Sequence, residues 1–228
     1  MTSLGTVLVT GGASGLGAAT VDAIAKAGGT PVVIDRDAPP AEVDHVRADL
    51  ADTAAATEAV GELADRAGRI DGVFTAAGVD VPGPLEQVPT ADWEQVVRIN
   101  LFGTVAVVRA ALPHLRRTNG TVVTCSSTLG LRAVGDATAY CASKFGVTGF
   151  SRALAAETSG EIGVTMLVPG GMHTAFFDDR PEQYRPPEGA PLNAPADVAE
   201  SVVFALRQPP GCEVRELVLA CSEEGSWP

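Results

Sequence analysis

Residues 4–35 place an apolar stretch, a glycine-rich turn, a helix-forming stretch and a second apolar stretch in immediate succession, and few folds accept that order. Leu4-Gly5-Thr6-Val7-Leu8-Val9-Thr10 is an apolar β-branched run that reads as a buried strand. Gly11-Gly12-Ala13-Ser14-Gly15-Leu16-Gly17 follows as a loop. Ala18 to Ala27 then carries helix formers with Val21, Ile24 and Ala25 at core spacing, and Gly28-Gly29 supplies the stop. Glycines let a backbone approach a phosphate closely, and a helix amino terminus offers unpaired N–H groups and a positive dipole end to an anion. The spacing Gly11-x-x-x-Gly15-x-Gly17 departs from the Gly-x-Gly-x-x-Gly dinucleotide fingerprint, although its strand-loop-helix context is the same. The next strand, Thr30 to Ile34, ends in Asp35, twenty residues beyond Gly15. A carboxylate there can accept hydrogen bonds from an adenosine ribose and repels a 2′-phosphate, which points to NAD. Arg36 comes next and offers a guanidinium to that phosphate, so NADP stays open, and Asp35 to Pro40 also reads as an ordinary turn.

A second constellation lies further along, in Tyr140-Cys141-Ala142-Ser143-Lys144 with Ser127 thirteen positions upstream of the tyrosine. A four-residue gap on a helix puts two side chains on one face, so an ammonium can sit beside a phenol. A neighbouring cation favours the phenolate and brings the hydroxyl toward the range where it exchanges protons with a substrate.

Together these residues resemble the short-chain dehydrogenase/reductase family, in its compact single-domain branch. The stretch Thr10-Gly11-x-x-x-Gly15-x-Gly17, with Ser14 and Leu16 inside it, is similar to that family's cofactor loop, and Asp49-Leu50 to its adenine-contacting pair. Asn100, Ser127, Tyr140 and Lys144 match its catalytic tetrad, and Pro169-Gly170-x-x-x-Thr174 resembles its loop beside the nicotinamide. After the fourth strand the family has Asn-Asn-Ala-Gly, whereas this chain has Thr75-Ala76-Ala77-Gly78, so hydrogen bonds near the sheet end and the ribose should differ while Ala77 and Gly78 still border the cofactor. The resemblance implies hydride transfer between nicotinamide C4 and the carbinol carbon of a secondary alcohol, or the matching ketone. Tyr140 would be the general acid/base and Ser127 would hold the substrate oxygen; Lys144 would lower the tyrosine pKa and bind the nicotinamide ribose. Asn100 would position a relay water behind Lys144, and the two long helices would form a homodimer or homotetramer interface. A catalytically silent dinucleotide-binding regulator and an NAD-using epimerase or dehydratase are the alternatives.

The remaining pattern alternates strands and helices: strand over 43–48, helix over 53–67, strand over 70–76, a long helix from about Thr90 to Arg117 perturbed by Pro113, strand over 120–126, the Tyr/Lys helix, strand over 162–168, helix over 195–207 and a last strand over 213–220. The expected fold is a Rossmann-type α/β domain over residues 1–228, a doubly wound parallel sheet of about seven strands with helices on both faces and a ligand crevice at the strands' carboxyl ends. Residues 171–192 are irregular and rich in proline and aromatics, and read as a short substrate lid. Leu129, Met172, His173 and Phe176 are the candidate substrate contacts.

Composition narrows the partners. A formal charge of -12 with no clustered basic run disfavours nucleic acid and acidic membranes, and Arg116-Arg117 suits a helix end. Cys125, Cys141, Cys212 and Cys221 lack metal or redox spacing, so no metal is expected. The first apolar run has no basic flank and no stretch reads as long enough to cross a membrane, which leads to a cytoplasmic expectation.

Overall fold

The computed structural model describes residues 4–40 and 42–224, so the ends of the expected 1–228 domain and residue 41 lie outside the described residues. Seven parallel strands form one sheet: β1 (Thr6–Thr10), β2 (Thr30–Asp35), β3 (Asp44–Arg47), β4 (Gly72–Thr75), β5 (Thr121–Cys125), β6 (Gly163–Pro169) and β7 (Glu216–Leu219). Their order across the sheet is β3-β2-β1-β4-β5-β6-β7, which reverses direction at the β1/β4 boundary. The connecting helices are α1 (Gly15–Lys26), α2 (Thr53–Ala67), α3 (Thr90–Val97), α4 (Thr104–Thr118), α5 (Thr138–Glu157) and α6 (Pro195–Leu206).

Alternation along each strand divides the core between two layers. Val7, Val9, Val33, Phe74, Val123 and Leu167 face α1 and α6, where Val21, Ile24, Val198 and Val202 meet them. Leu8, Val32, Ile34, Val73, Val122 and Val164 face the opposite side and pack with Val60 and Leu63 of α2, Val107, Ala111 and Leu115 of α4, and Leu154 of α5. Central strands are covered on both faces, so Thr6–Thr10 and Gly72–Thr75 are buried throughout and are mostly apolar, with threonines at their ends.

The expected long helix forms, but not as one regular piece. Residues Arg98–Gly103 adopt a π-turn between α3 and α4, and α4 passes through Pro113 to Thr118, so the perturbation falls at Asn100 and not at the proline. The expectation of no membrane-length stretch is also corrected: Thr90–Thr118 spans 29 residues and contains a window with mean hydropathy 1.5, long and apolar enough by those criteria alone. Nearly half of that window, 44%, is buried inside the fold, where Val107, Val108, Ala111 and Leu115 belong to the core beneath the sheet. Helical apolar content of this kind is what a two-layer core requires.

Candidate functional site

The carboxyl ends of β1, β2, β4, β5 and β6 open into one cleft of about 1000 Å³. At one end lies the glycine loop. Gly15 takes φ +52°, a left-handed conformation that side chains disfavour, and turns the chain into α1. Gly17 sits against the loop's own start, so closely that a methyl group there would overlap the Gly11 carbonyl oxygen at 1.9 Å. Ser14 is the amino-terminal cap residue of α1 but makes no side-chain cap hydrogen bond, which leaves the first-turn N–H groups facing the cleft mouth available to an anion. Leu16 is buried beneath the loop, although part of it still lines the cleft.

Asp35 closes this end of the cleft. Its Oδ2 accepts from the Ala13 N–H at 2.9 Å and its Oδ1 from the Asp37 N–H at 3.1 Å, so the carboxylate holds the glycine loop and its own turn together. Both readings of this residue meet in the structure, since Asp35 shapes the turn and also borders the cleft with the exposed Arg36. Asp49 caps its own turn by accepting from the Ala51 N–H at 2.9 Å, and Leu50 is buried in the core beside it.

Ser127, Tyr140 and Lys144 converge at the other end. Lys144 is buried at 4% exposure and its Nζ donates to the Cys125 carbonyl at 2.8 Å, 5.6 Å from the Tyr140 ring centre. Tyr140 keeps part of its surface toward the cleft and hydrogen-bonds with the Ser127 side chain, whose Oγ also accepts from the Leu129 N–H at 3.1 Å. The expected lowering of the tyrosine by Lys144 is not seen: burial pushes the phenol well up, the nearby Cys125 and Asp80 add to this, and the Ser127 hydrogen bond and the Arg180 charge act against it. Burial likewise pushes the Lys144 ammonium down. The lysine lies over the ring and is tied to the Cys125 carbonyl.

Asn100 is fully buried. Its Oδ1 accepts from the Val79 N–H at 2.8 Å, while its Nδ2 donates to the Val79 carbonyl at 2.9 Å and to Ser143 Oγ at 3.0 Å. The amide therefore clamps the segment after β4 to α5. Gly78 lies next to both Asn100 and Lys144. Where the resemblance expects amides after β4, Thr75 Oγ1 is buried without a partner and the Ala77 N–H donates to Thr10 Oγ1 at 3.3 Å.

Pro169, Gly170 and Thr174 line the cleft next to the glycine loop; the Thr174 side chain would be 3.4 Å from a methyl group placed on Gly15. Residues 171–192 border the Tyr140 end of the cleft and contain two 3₁₀ turns, Ala175–Phe177 and Glu182–Tyr184. Leu129, Met172 and Phe176 border the cleft, with the Phe176 ring 5.7 Å from that of Tyr140. His173 does not: it is exposed, and its part is played by its backbone N–H, which donates to the Asn193 carbonyl at 3.0 Å. Pairing of Met172 with Asn193 turns the chain so that consecutive side chains point to opposite sides. Sequence reasoning missed Asp80 and Arg180, a half-buried ion pair at 2.8 Å, and Glu224, whose Oε2 accepts from the Gly171 N–H at 3.0 Å; all three line the cleft. Nothing local in the sequence marks them.

Comparison with known proteins bears on this arrangement. A family model described as short chain dehydrogenase matches residues 5–185. The chain is 32% identical over 235 residues to subunit BbsD of (2S)-[(R)-hydroxy(phenyl)methyl]succinyl-CoA dehydrogenase from Thauera aromatica, covering 94% of each protein. Among solved structures, levodione reductase superposes with a TM-score of 0.84 at 29% identity, covering 96% of this chain and 97% of that one. An alcohol dehydrogenase of Thermococcus sibiricus, solved with 5-hydroxy-NADP, shares the fold with a TM-score of 0.86 at 23% identity, covering 96% and 97%.

The glycine loop provides a direct test of the anion-binding end. Overpacking against a backbone oxygen costs about 1–3 kcal/mol, and for a domain of this size each kcal/mol lowers Tm by roughly 2–4 °C. Gly17→Ala should therefore lower Tm by several degrees and weaken dinucleotide binding at least tenfold. Gly61→Ala in α2, where a methyl group meets nothing within 4 Å, should hold or raise Tm. Differential scanning calorimetry and fluorescence titration with dinucleotide read both effects, and unchanged affinity in Gly17→Ala would remove the loop from the binding site.

Proposed function

The chain belongs to the short-chain dehydrogenase family and is an oxidoreductase of alcohol- or ketone-type small molecules, and from that premise we propose that it interconverts a secondary alcohol and its ketone with NAD, using Tyr140 as the general acid/base. The observation that carries this reading is the convergence of Ser127, Tyr140 and Lys144 on one end of a cleft whose other end is an uncapped helix start behind a glycine loop. The loop, the free first-turn N–H groups and a cleft of about 1000 Å³ fit a dinucleotide. Gly11, Ser14, Gly15, Leu16 and Gly17 would receive the pyrophosphate, and Asp35 the adenosine ribose. Asp49 and Leu50 would flank the adenine, while Ala77, Gly78, Pro169, Gly170 and Thr174 would border the nicotinamide end. The bound dinucleotide supplies the hydride acceptor or donor.

The chain's own groups handle the proton and the oxygen. Ser127 Oγ donates to the substrate oxygen and stabilises the charge that develops there. Tyr140, held protonated by burial, is in the form that gives its proton to a ketone oxygen. Oxidation of an alcohol needs the phenolate and is favoured as pH rises. Lys144 lies beside Tyr140 and, when the cleft is filled, donates to the nicotinamide ribose. Residues 171–192 act as the lid over Leu129, Met172 and Phe176.

Tyr140→Phe should fold and bind dinucleotide but lose turnover by about 10²- to 10⁴-fold, the usual effect of removing a general acid/base. Initial rates on a panel of secondary alcohols and ketones, with dinucleotide affinity measured separately, check this; near wild-type turnover would mean that the proton moves through another group. For the cofactor, the Asp35 carboxylate facing a 2′-phosphate favours NAD(H) by Coulomb repulsion. Dissociation constants for NADH and NADPH decide it, and tighter NADPH binding would show that Arg36 dominates. For assembly, a homodimer or homotetramer built on α4 and α5 agrees with the exposed Phe102 and Phe145 beside those helices. Light scattering at micromolar concentration should give a multiple of the chain mass, and a monomer mass refutes it.

A further inference from the structure

The ion pair between Asp80 and Arg180 spans one hundred residues of sequence and sits at the substrate end of the cleft. Both residues are half-buried, with side-chain exposures of 4% for Asp80 and 15% for Arg180. Arginine and a carboxylate ordinarily meet fork to fork, with two parallel hydrogen bonds. Here Nη2 donates to Oδ2 at 2.8 Å and the second bond is not made. Asp80 Oδ1 and Arg180 Nε are left buried with no partner at full hydrogen-bond geometry, although the Val81 backbone N–H lies close enough to the carboxylate to favour its charged form. Buried polar atoms are nearly always paired, so an unpaired acceptor and an unpaired donor on one ion pair in a binding cleft call for a ligand group.

The pair is also fixed in place. The guanidinium carbon lies 4.7 Å from the Phe176 ring centre and 4.6 Å from that of Phe177, which holds it by cation–π contact on both rings. Phe176 in turn lies 5.7 Å from the Tyr140 ring. One aromatic ring therefore separates the unpaired donor and acceptor from the proposed reacting tyrosine. The two belong to different segments, Asp80 to the chain after β4 and Arg180 to the segment over the cleft, so the site is complete only when that segment is down.

We propose that Asp80 and Arg180 recognise a hydroxyl group of a neutral polyhydroxylated substrate, at a carbon removed from the one that reacts at Tyr140. A hydroxyl is the group that both donates one hydrogen and accepts, and so satisfies Oδ1 and Nε together. A carboxylate or phosphate would satisfy Nε but meet the Asp80 charge, and an amine would satisfy Oδ1 but meet the Arg180 charge. The ion pair has no net charge to attract either. An alkyl chain would leave both atoms unpaired in a dry pocket, and sites built to bond a hydroxyl reject the analogue that lacks it. Since both atoms are shut off from solvent in the closed cleft, the hydroxyl enters as residues 171–192 lift and settles between the two as they return. The inference rests on the oxidoreductase reading of the same cleft.

The test compares tetritols, pentitols and hexitols with 2-butanol, 2-pentanol and 2-hexanol, in the wild type and in Asp80→Asn and Arg180→Lys. The asparagine keeps the shape and removes the charge, and the lysine keeps the charge and removes the Nε donor. The wild type should favour at least one polyol over the simple alcohol of equal length by tenfold or more in kcat/KM. In both variants that ratio should fall at least tenfold, chiefly through KM. Where one variant fails to fold by thermal unfolding, the other carries the comparison. Equal losses on both substrate classes would make the pair a fastener of the covering segment only and overturn the inference, as would a wild type that prefers the simple alcohols. If no compound is turned over, the oxidoreductase reading fails and calorimetric titration of the same polyols into protein saturated with dinucleotide decides the recognition. Polyol binding that is lost in Asp80→Asn upholds it, and no polyol binding overturns it.

Discussion

The pairing of β1 with both β2 and β4 is the constraint on which the cleft depends. Thr10 at the end of β1 lies level with Ile34 of β2 and with Thr75 of β4, and from that line the following connections diverge to opposite faces of the sheet. The chain leaving β1 turns into α1 on one face, and the chain leaving β4 runs toward α3 and α4 on the other. A crevice at the strand ends results from this reversal of order, and no residue has to be removed to open it. The Gly11 N–H donates to the Ile34 carbonyl at 3.0 Å and the Ala77 N–H to Thr10 Oγ1 at 3.3 Å, so the loops on either side of the crevice are tied to the same sheet edge.

At the Tyr140 end of the cleft, burial outweighs the neighbouring charge. A phenol and an ammonium placed together in water would favour each other's charged forms, but here the lysine is buried and the tyrosine largely so, and burial acts on each separately, raising one and lowering the other. The structure therefore stores the proton on Tyr140. Cys125, also pushed up by burial, adds no negative charge beside Lys144 at neutral pH and acts through its carbonyl, which holds the lysine in place.

Support for this arrangement comes from an irregular piece of helix. The π-turn at Arg98–Gly103 brings Asn100 to a fully buried position, where its amide binds both the N–H and the carbonyl of Val79 and also reaches Ser143 one residue before Lys144. An insertion of this kind in a helix redirects a side chain without a break in the chain, and such bulges occur often at functional sites. With the amide clamping Val79, Asp80 is set immediately beyond it, facing the segment that carries Arg180. The ion pair thus joins the segment held by the Asn100 clamp to the segment that carries the Met172–Asn193 pairing.

Local periodicity and spacing decided much of this protein in advance. Continuous apolar runs marked Thr6–Thr10 and Gly163–Pro169 as buried parallel strands because both faces of such a strand must be covered, and the Gly15/Gly17 spacing marked the loop because only a side-chain-free turn lets α1 start so close to the Gly11 carbonyl. The four-residue interval of Tyr140 and Lys144 placed them on one helix face without further information. What the interval did not contain was the direction of the proton shift, since that depends on how much solvent the surrounding layers remove. Asp80 and Arg180 were equally silent, being joined only through the strand order and the path of residues 171–192. His173 and Met172 differ by one position and point to opposite sides, which only the pairing of that segment with Asn193 could settle. Interactions carried by neighbours on one element are written in the order of residues; those between distant segments, and every effect of burial, exist only once the chain has closed on itself.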